Sequence, residues 1–182
     1  FQANPMGYHI ENIGWHFLNS ILVYYTLKKL LKEHSIALLI SIVFAFHPLQ
    51  VETVAWIAER KNLLSTFFIL LSILSYIHYL SEHRSKFIVF SLLFFIFSLL
   101  SKPSFIIFPL ILLLIDWHLH QSISKKNILQ KIPFLIGSLV PVSFCFITFL
   151  FTLGSTYGPF FNDLGIVYFL RLMISMFVGF FL

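Results

Sequence analysis

Uncharged runs of Phe, Leu, Ile and Val, such as Phe87 to Leu100, recur along this chain at intervals of a membrane thickness and constrain its fold more than anything else. Charged residues make up 10% of the 182 positions and apolar ones 59%, with a mean hydropathy of +0.93. Soluble domains carry about 25% charge. With so little polar surface, water cannot cover a fold of this size, so lipid is the expected solvent. The expectation is an all-α, polytopic transmembrane helix bundle.

Apolar runs place about seven membrane segments near Ile10 to Leu27, Ile36 to Trp56, Leu63 to Leu80, Phe87 to Leu100, Phe105 to Leu119, Ile132 to Leu153 and Leu164 to Leu182. Phe87 to Leu100 would rise only about 21 Å as a helix against roughly 30 Å of hydrocarbon. With the Ser101-Lys102-Pro103-Ser104 break after it, this run reads as half of a shallow hairpin with the next. Phe1 and Leu182 do not look like natural termini, so residues 1–182 read as one transmembrane domain, a fragment truncated at both ends. Cys145 stands alone, which excludes an intrachain disulfide and a Cys-based metal site.

The basic residues alternate between connections. Lys28, Lys29 and Lys32 fall in one, Arg84 and Lys86 in a second, and Lys125, Lys126 and Lys131 in a third, which makes these three the expected cytoplasmic loops. This is a topology pattern and not a nucleic-acid footprint, so no nucleic-acid partner is expected from the net charge of +5. The connections around 47–62, 101–104 and 154–163 then face outward, and they hold most of the unusual side chains.

Three groups of residues could carry chemistry. His9, Asn12 and His16 share one face of the first helix near its outer end, where a polar stripe should meet protein or a wet cavity. In the segment HPLQVETVAWIAERKN, His47 to Asn62, a helix over Val51 to Lys61 would set Glu52 and Glu59 two turns apart on one face, beside Arg60 and Lys61. Carboxylates can take a hydroxyl proton and Arg can bind phosphate through two parallel hydrogen bonds. An interfacial helix with solvated charges and Trp56 as an aromatic anchor is the competing reading. Lys102, on the outer side, is either a phosphate ligand or a side chain snorkelling to headgroups. Asp116 reads as a structural or boundary acid, and His78, Glu82 and Lys86 as a helix-end charge network. Glycine-rich phosphate loops, nucleophile elbows and HExxH are missing.

The segment from His47 to Asn62, followed by Leu63-Leu64-Ser65-Thr66-Phe67-Phe68, resembles the membrane portion of the transmembrane and tetratricopeptide-repeat-containing proteins. Gly7-Tyr8-His9 with Asn12 and His16, Leu100-Ser101-Lys102-Pro103 and Leu113-Leu114-Ile115-Asp116-Trp117 carry the same resemblance in the same order, over most of residues 5–120. That family is similar to the GT-C glycosyltransferases, which move a sugar from a polyprenyl-phosphate donor to an acceptor on the non-cytoplasmic side; in eukaryotic members the implied reaction is O-mannosylation of protein Ser or Thr. The resemblance implies lipid-linked sugar and an acceptor protein or glycan as partners. It raises Glu52, Arg60 and Lys102 among the candidates, and with the residue chemistry it gives Glu52 and Glu59 as catalytic acids and Arg60, Lys61, Lys102, His9, His16 and His47 as donor-phosphate or substrate ligands. In such enzymes the main acid lies in the first outward loop, which here would be upstream of Phe1. The tetratricopeptide repeats implied downstream have no counterpart after Gly165. No cofactor is assured. Mg²⁺ or Mn²⁺ between two carboxylates and a phosphate stays open. A transporter subunit or a non-catalytic membrane scaffold is the alternative function. The Phe/Ile/Lys-heavy composition favours a bacterial cytoplasmic membrane, with the endoplasmic reticulum membrane as the other location.

Overall fold

A computed structural model describes residues 5–56, 59–120, 125–139 and 143. These are helical, without strands: α1 Pro5–Leu31, α2 His34–Phe46, α3 Leu49–Ala55, α4 Arg60–Glu82, α5 Ser85–Ser101, a 3₁₀ turn Pro103–Phe105, α6 Phe108–His120 and α7 Lys125–Gln130. Beyond a turn at Lys131 the chain is helical again over 132–139. The all-α expectation holds for the described residues.

Among them, α4 is long and apolar enough to cross a bilayer alone. Helices α2 and α3 have the length and hydropathy of a second span when taken together, but they bend by 57° at the break. Pro48 accounts for that break: it cannot donate to a helical ladder, and the residue before it is driven out of the helical region, with His47 at φ −65°, ψ 131°. The sequence expectation of one helix over Val51 to Lys61 is corrected by a second break, further along the chain. Helix α3 stops at Ala55, Trp56 is extended, and α4 starts at Arg60, so Glu52 and Glu59 do not share a helical face. The expected segments Ile132 to Leu153 and Leu164 to Leu182 fall largely or wholly outside the described residues.

Helix α4 is the hub, packed on α1 along one side and on α5 along another. Lipid tails are as apolar as Leu, so close packing and hydrogen bonds must hold such helices together. Between α4 and α5 they do so through serines: Ser65 Oγ reaches Ser98 Oγ at 3.0 Å and Ser72 Oγ reaches Ser91 Oγ at 3.1 Å, all four side chains buried. Their hydroxyls also donate to facing carbonyls, Ser98 to Ser65 at 2.9 Å and Ser72 to Ser91 at 2.7 Å. The expected α5/α6 hairpin is thereby modified, because α5 lies chiefly along α4 and meets α6 through Phe95 stacked on Phe108 at 4.8 Å. Phe134 completes that aromatic cluster, 5.7 Å from Phe95. The outward faces of α1, α2 and α5 carry Ile13, Phe17, Leu39, Val43, Val89 and Phe90, a surface suited to lipid.

At the basic end the expected loop pattern is partly corrected. Lys29 Nζ donates to His78 Nε2 at 2.8 Å, and Glu82 pairs with Arg84 at 3.5 Å. His78, Glu82 and Lys86 form no single network, because α4 ends at His83, whose positive φ of 54° turns the chain before Lys86. Lys131 is not a loop cation at all. It is 1% exposed and pairs with Asp116, itself 0% exposed, while Tyr76 Oη donates to Asp116 Oδ1 at 2.6 Å.

Candidate functional site

At the opposite end of the bundle, α1, the α2–α3 break and the start of α4 meet. Asn12 joins them: its amide donates to the Val54 carbonyl at 3.2 Å and to the Trp56 carbonyl at 3.1 Å, satisfying the open end of α3. One turn along, His16 Nε2 donates to the Ala45 carbonyl at 3.0 Å, and Asn19 donates to the Leu63 carbonyl at 3.0 Å. The polar stripe read on α1 thus faces protein, with Asn12 and His16 meeting carbonyls at the C-terminal ends of α3 and α2.

These contacts frame a cleft of about 460 Å³ lined by His9, His16, His47 and Gln50 with Ile13, Ala45, Phe46, Val51, Val54 and Ala55. All three candidate histidines border it. His47 Nδ1 accepts from the Leu49 N–H at 3.2 Å, helping to start α3. Glu52, although on α3, is exposed and does not line the cleft.

The remaining candidates divide into two groups. Arg60 pairs with Glu11 of α1, and its guanidinium lies 5.5 Å from the Tyr8 ring centre. Glu59 and Lys102 are each 7% exposed, and Glu59 Oε2 has no hydrogen-bond partner. Burial pushes the Lys102 ammonium below the ordinary lysine range, Glu59 pulls it back up, and Lys61 adds to the lowering. Glu59, Lys61 and Lys102 therefore form one electrostatic corner between the start of α4 and the end of α5. Pro103 and the extended Lys102 backbone, φ −157°, make that corner by ending α5. Sequence reasoning named every member of the corner but missed Glu11. The available signal was its position as the sole acid in the 27-residue α1. Among the described residues, no three His, Cys, Asp or Glu side chains are grouped so as to hold a metal ion.

Residues 9–151, most of the chain, match the family described as dolichyl-phosphate-mannose-protein mannosyltransferase. The chain belongs to this mannosyltransferase family. A protein O-mannosyl-transferase of Caenorhabditis elegans is 35% identical over 141 residues, 75% of this chain and 19% of that protein. The human protein O-mannosyl-transferases TMTC3 and TMTC1 are 33% and 36% identical over 75 and 74 residues, 41% and 40% of this chain and 8% of each relative. The chain thus spans at most about a fifth of these relatives' length. No solved structure matches it significantly. The mannosyltransferase match runs past the segment where the residue-level resemblance fades, and it takes in the cleft, Glu59, Lys61 and Lys102 together.

Proposed function

We propose that this chain supplies the donor-binding membrane portion of a glycosyltransferase that moves mannose from a polyprenyl phosphate to a protein hydroxyl on the non-cytoplasmic side of a bacterial cytoplasmic membrane. The observation that carries the reading is the gathering of the candidate polar residues, from a chain matching a mannosyltransferase family, at the end of the bundle opposite its Lys29/Arg84 end. A transporter would distribute such groups along a continuous path through the bilayer, whereas between α4 and α5 the buried polar groups are serines paired with one another and the Asp116–Lys131 pair is closed on itself with Tyr76.

In the reaction, the acceptor oxygen attacks the anomeric carbon, the bond from that carbon to phosphate oxygen breaks, and the hydroxyl proton passes to a carboxylate. Glu59 is the acid we favour for that proton within this segment, because it is buried with one oxygen unpartnered. Glu52, being exposed, is assigned to the approach of the acceptor. Lys102 and Lys61 are assigned to the leaving lipid phosphate, whose charge grows as the bond breaks. Arg60 is already matched by Glu11 and serves the same phosphate more weakly. The seven-span topology belongs to this reading; among the described residues α4 is long enough for one span, and the bent α2–α3 pair for a second when taken together.

The test is transfer from radiolabelled dolichyl-phosphate mannose in membranes holding the full-length protein. Glu59→Gln and Lys102→Ala should each lower the rate by on the order of a hundredfold at equal expression. Equal rates in the parent and both variants would reject this site, and a parent inactive across a panel of lipid-linked sugars would reject the transferase reading.

A further inference from the structure

At the end of the bundle away from the cleft, three helices are joined by a chain of contacts that uses no carboxylate. Lys29 of α1 donates to His78 Nε2 of α4 at 2.8 Å, and the His78 ring stacks on Phe87 of α5 with centroids 5.6 Å apart. The Lys86 ammonium ends the chain, 5.1 Å from the centre of the Phe87 ring. The state of His78 follows from its partners. A carbonyl oxygen can only accept, so the 2.8 Å contact between Nδ1 and the Leu74 carbonyl puts a proton on Nδ1. Nε2 is then the lone pair that takes the Lys29 N–H, and the ring is neutral.

The two ammonium groups are therefore held in place without being neutralised. Among the described residues neither pairs with a carboxylate: Glu82 is taken by Arg84, Asp116 by Lys131 and Glu11 by Arg60. Both lysines are exposed, and Lys29 spends one of its three N–H groups on His78. An orientation signal needs charge but no fixed position, whereas here an imidazole and a phenyl ring fix where each charge sits.

Apolar surface continues from these cations along the helices. On α5 the exposed residues Val89, Phe90, Leu93 and Phe97 follow Lys86 at helical-turn spacing. On α4, Leu74 and Leu71 lie one and two turns from His78 on the same face and are half-buried. A ligand that matches both parts carries a phosphate at one end and acyl chains at the other, while a free phosphate matches only the first. We infer that this end of the bundle is a binding site for an anionic phospholipid, its headgroup phosphate held by Lys29 and Lys86 and an acyl chain lying along the exposed face of α5. The site is remote from the Lys102 corner and does not depend on the transferase reading.

The experiment is binding of a fluorescent phosphatidylglycerol to the full-length protein in detergent micelles. Unlabelled phosphatidylglycerol, phosphatidylcholine and soluble glycerol phosphate serve as competitors. Phosphatidylglycerol should displace the probe at a concentration on the order of tenfold below that of phosphatidylcholine, and glycerol phosphate should not displace it. Two double variants then remove the same charge from the same end. Lys29→Gln with Lys86→Gln should abolish the preference, and Lys29→Arg with Lys86→Arg should keep it. Lys28 rests over Tyr24 of its own helix and Lys32 lies in the turn after α1, so Lys28→Gln with Lys32→Gln should weaken the preference by no more than about threefold. Thermal unfolding matched to the parent certifies the fold of each variant. Equal losses in the two Gln pairs would reduce the site to diffuse surface charge and overturn the inference. A parent without preference between the two lipids, or one from which glycerol phosphate displaces the probe as well as phosphatidylglycerol does, would overturn it as well.

Discussion

Replacing Lys131 by Met should destabilise the protein by about 3–5 kcal/mol, the usual consequence of stripping one partner from a buried ion pair. The size follows from the surroundings: Asp116, Lys131 and Tyr76 are all 1% exposed or less, and Lys131 is hydrogen bonded to both of the others. Met fills nearly the same volume, so the loss is electrostatic and leaves Asp116 with Tyr76 as its one remaining donor. Replacing the pair together, Asp116→Leu with Lys131→Met, should be close to neutral or even stabilising, since no uncompensated charge is then buried. Tyr76→Phe should fall between them, at about 1–3 kcal/mol, for one missing donor to a charged acceptor. Reversible unfolding in detergent, run as a double-mutant cycle, measures all of these. A Lys131→Met protein within about 1 kcal/mol of the parent would show that α4, α6 and the turn at 131 do not enclose these groups as described. The same variant addresses topology, because a buried Lys131 should not act as an orientation signal and its loss should leave membrane orientation unchanged.

Three further outcomes follow from the geometry. Binding of a lipid phosphate should weaken at alkaline pH, because a Lys102 held below the ordinary lysine range loses its proton as pH rises through that lowered value; Lys102→Arg should remove this alkaline limb, and Glu59→Gln should move it to lower pH. Donor binding measured against pH reads both. Asn12→Ala should cost about 1–3 kcal/mol by removing the Asn12 donor from the Val54 carbonyl and leaving the Trp56 carbonyl with the Glu59 N–H, and should loosen α3 from α1, which increased quenching of Trp56 fluorescence by an aqueous quencher would report. Gly137 has Phe95 where its Cβ would be, with a ring carbon at 3.3 Å, so Gly137→Ala should need only a small ring shift whereas Gly137→Leu should cost about 1–3 kcal/mol in thermal unfolding.

Local rules made much of this architecture legible. Apolar periodicity located α4, α5 and α6 to within a few residues and α1 to within about a turn, but ran α2 and α3 together as one segment, and loop charge separated the two ends of the bundle, because both depend on burying backbone and charge segment by segment. Where a single residue overrode the local pattern, the reading failed. Pro48 ended α2 inside the apolar run read as Ile36 to Trp56, and a separate stop of α3 at Ala55 took away the meaning of the Glu52/Glu59 spacing. Lys131 looked like any loop cation because nothing within several residues announces Asp116 as its partner. The candidate residues could be named as residue types, but their grouping could not: Glu11 against Arg60 and Glu59 near Lys102 join positions distant in sequence, and only tertiary packing brings them together.

The serine pairs between α4 and α5 bear on how such a chain is built. Ser65 and Ser72 are separated by the same interval as Ser91 and Ser98, in antiparallel order, so the two rungs engage together or not at all. A slip of one residue would leave four hydroxyls facing hydrocarbon. The α4–α5 hairpin can therefore enter the bilayer as a unit with these four hydroxyls already paired, and Tyr76 is left to be met by Asp116 and Lys131 as the later segments assemble on it.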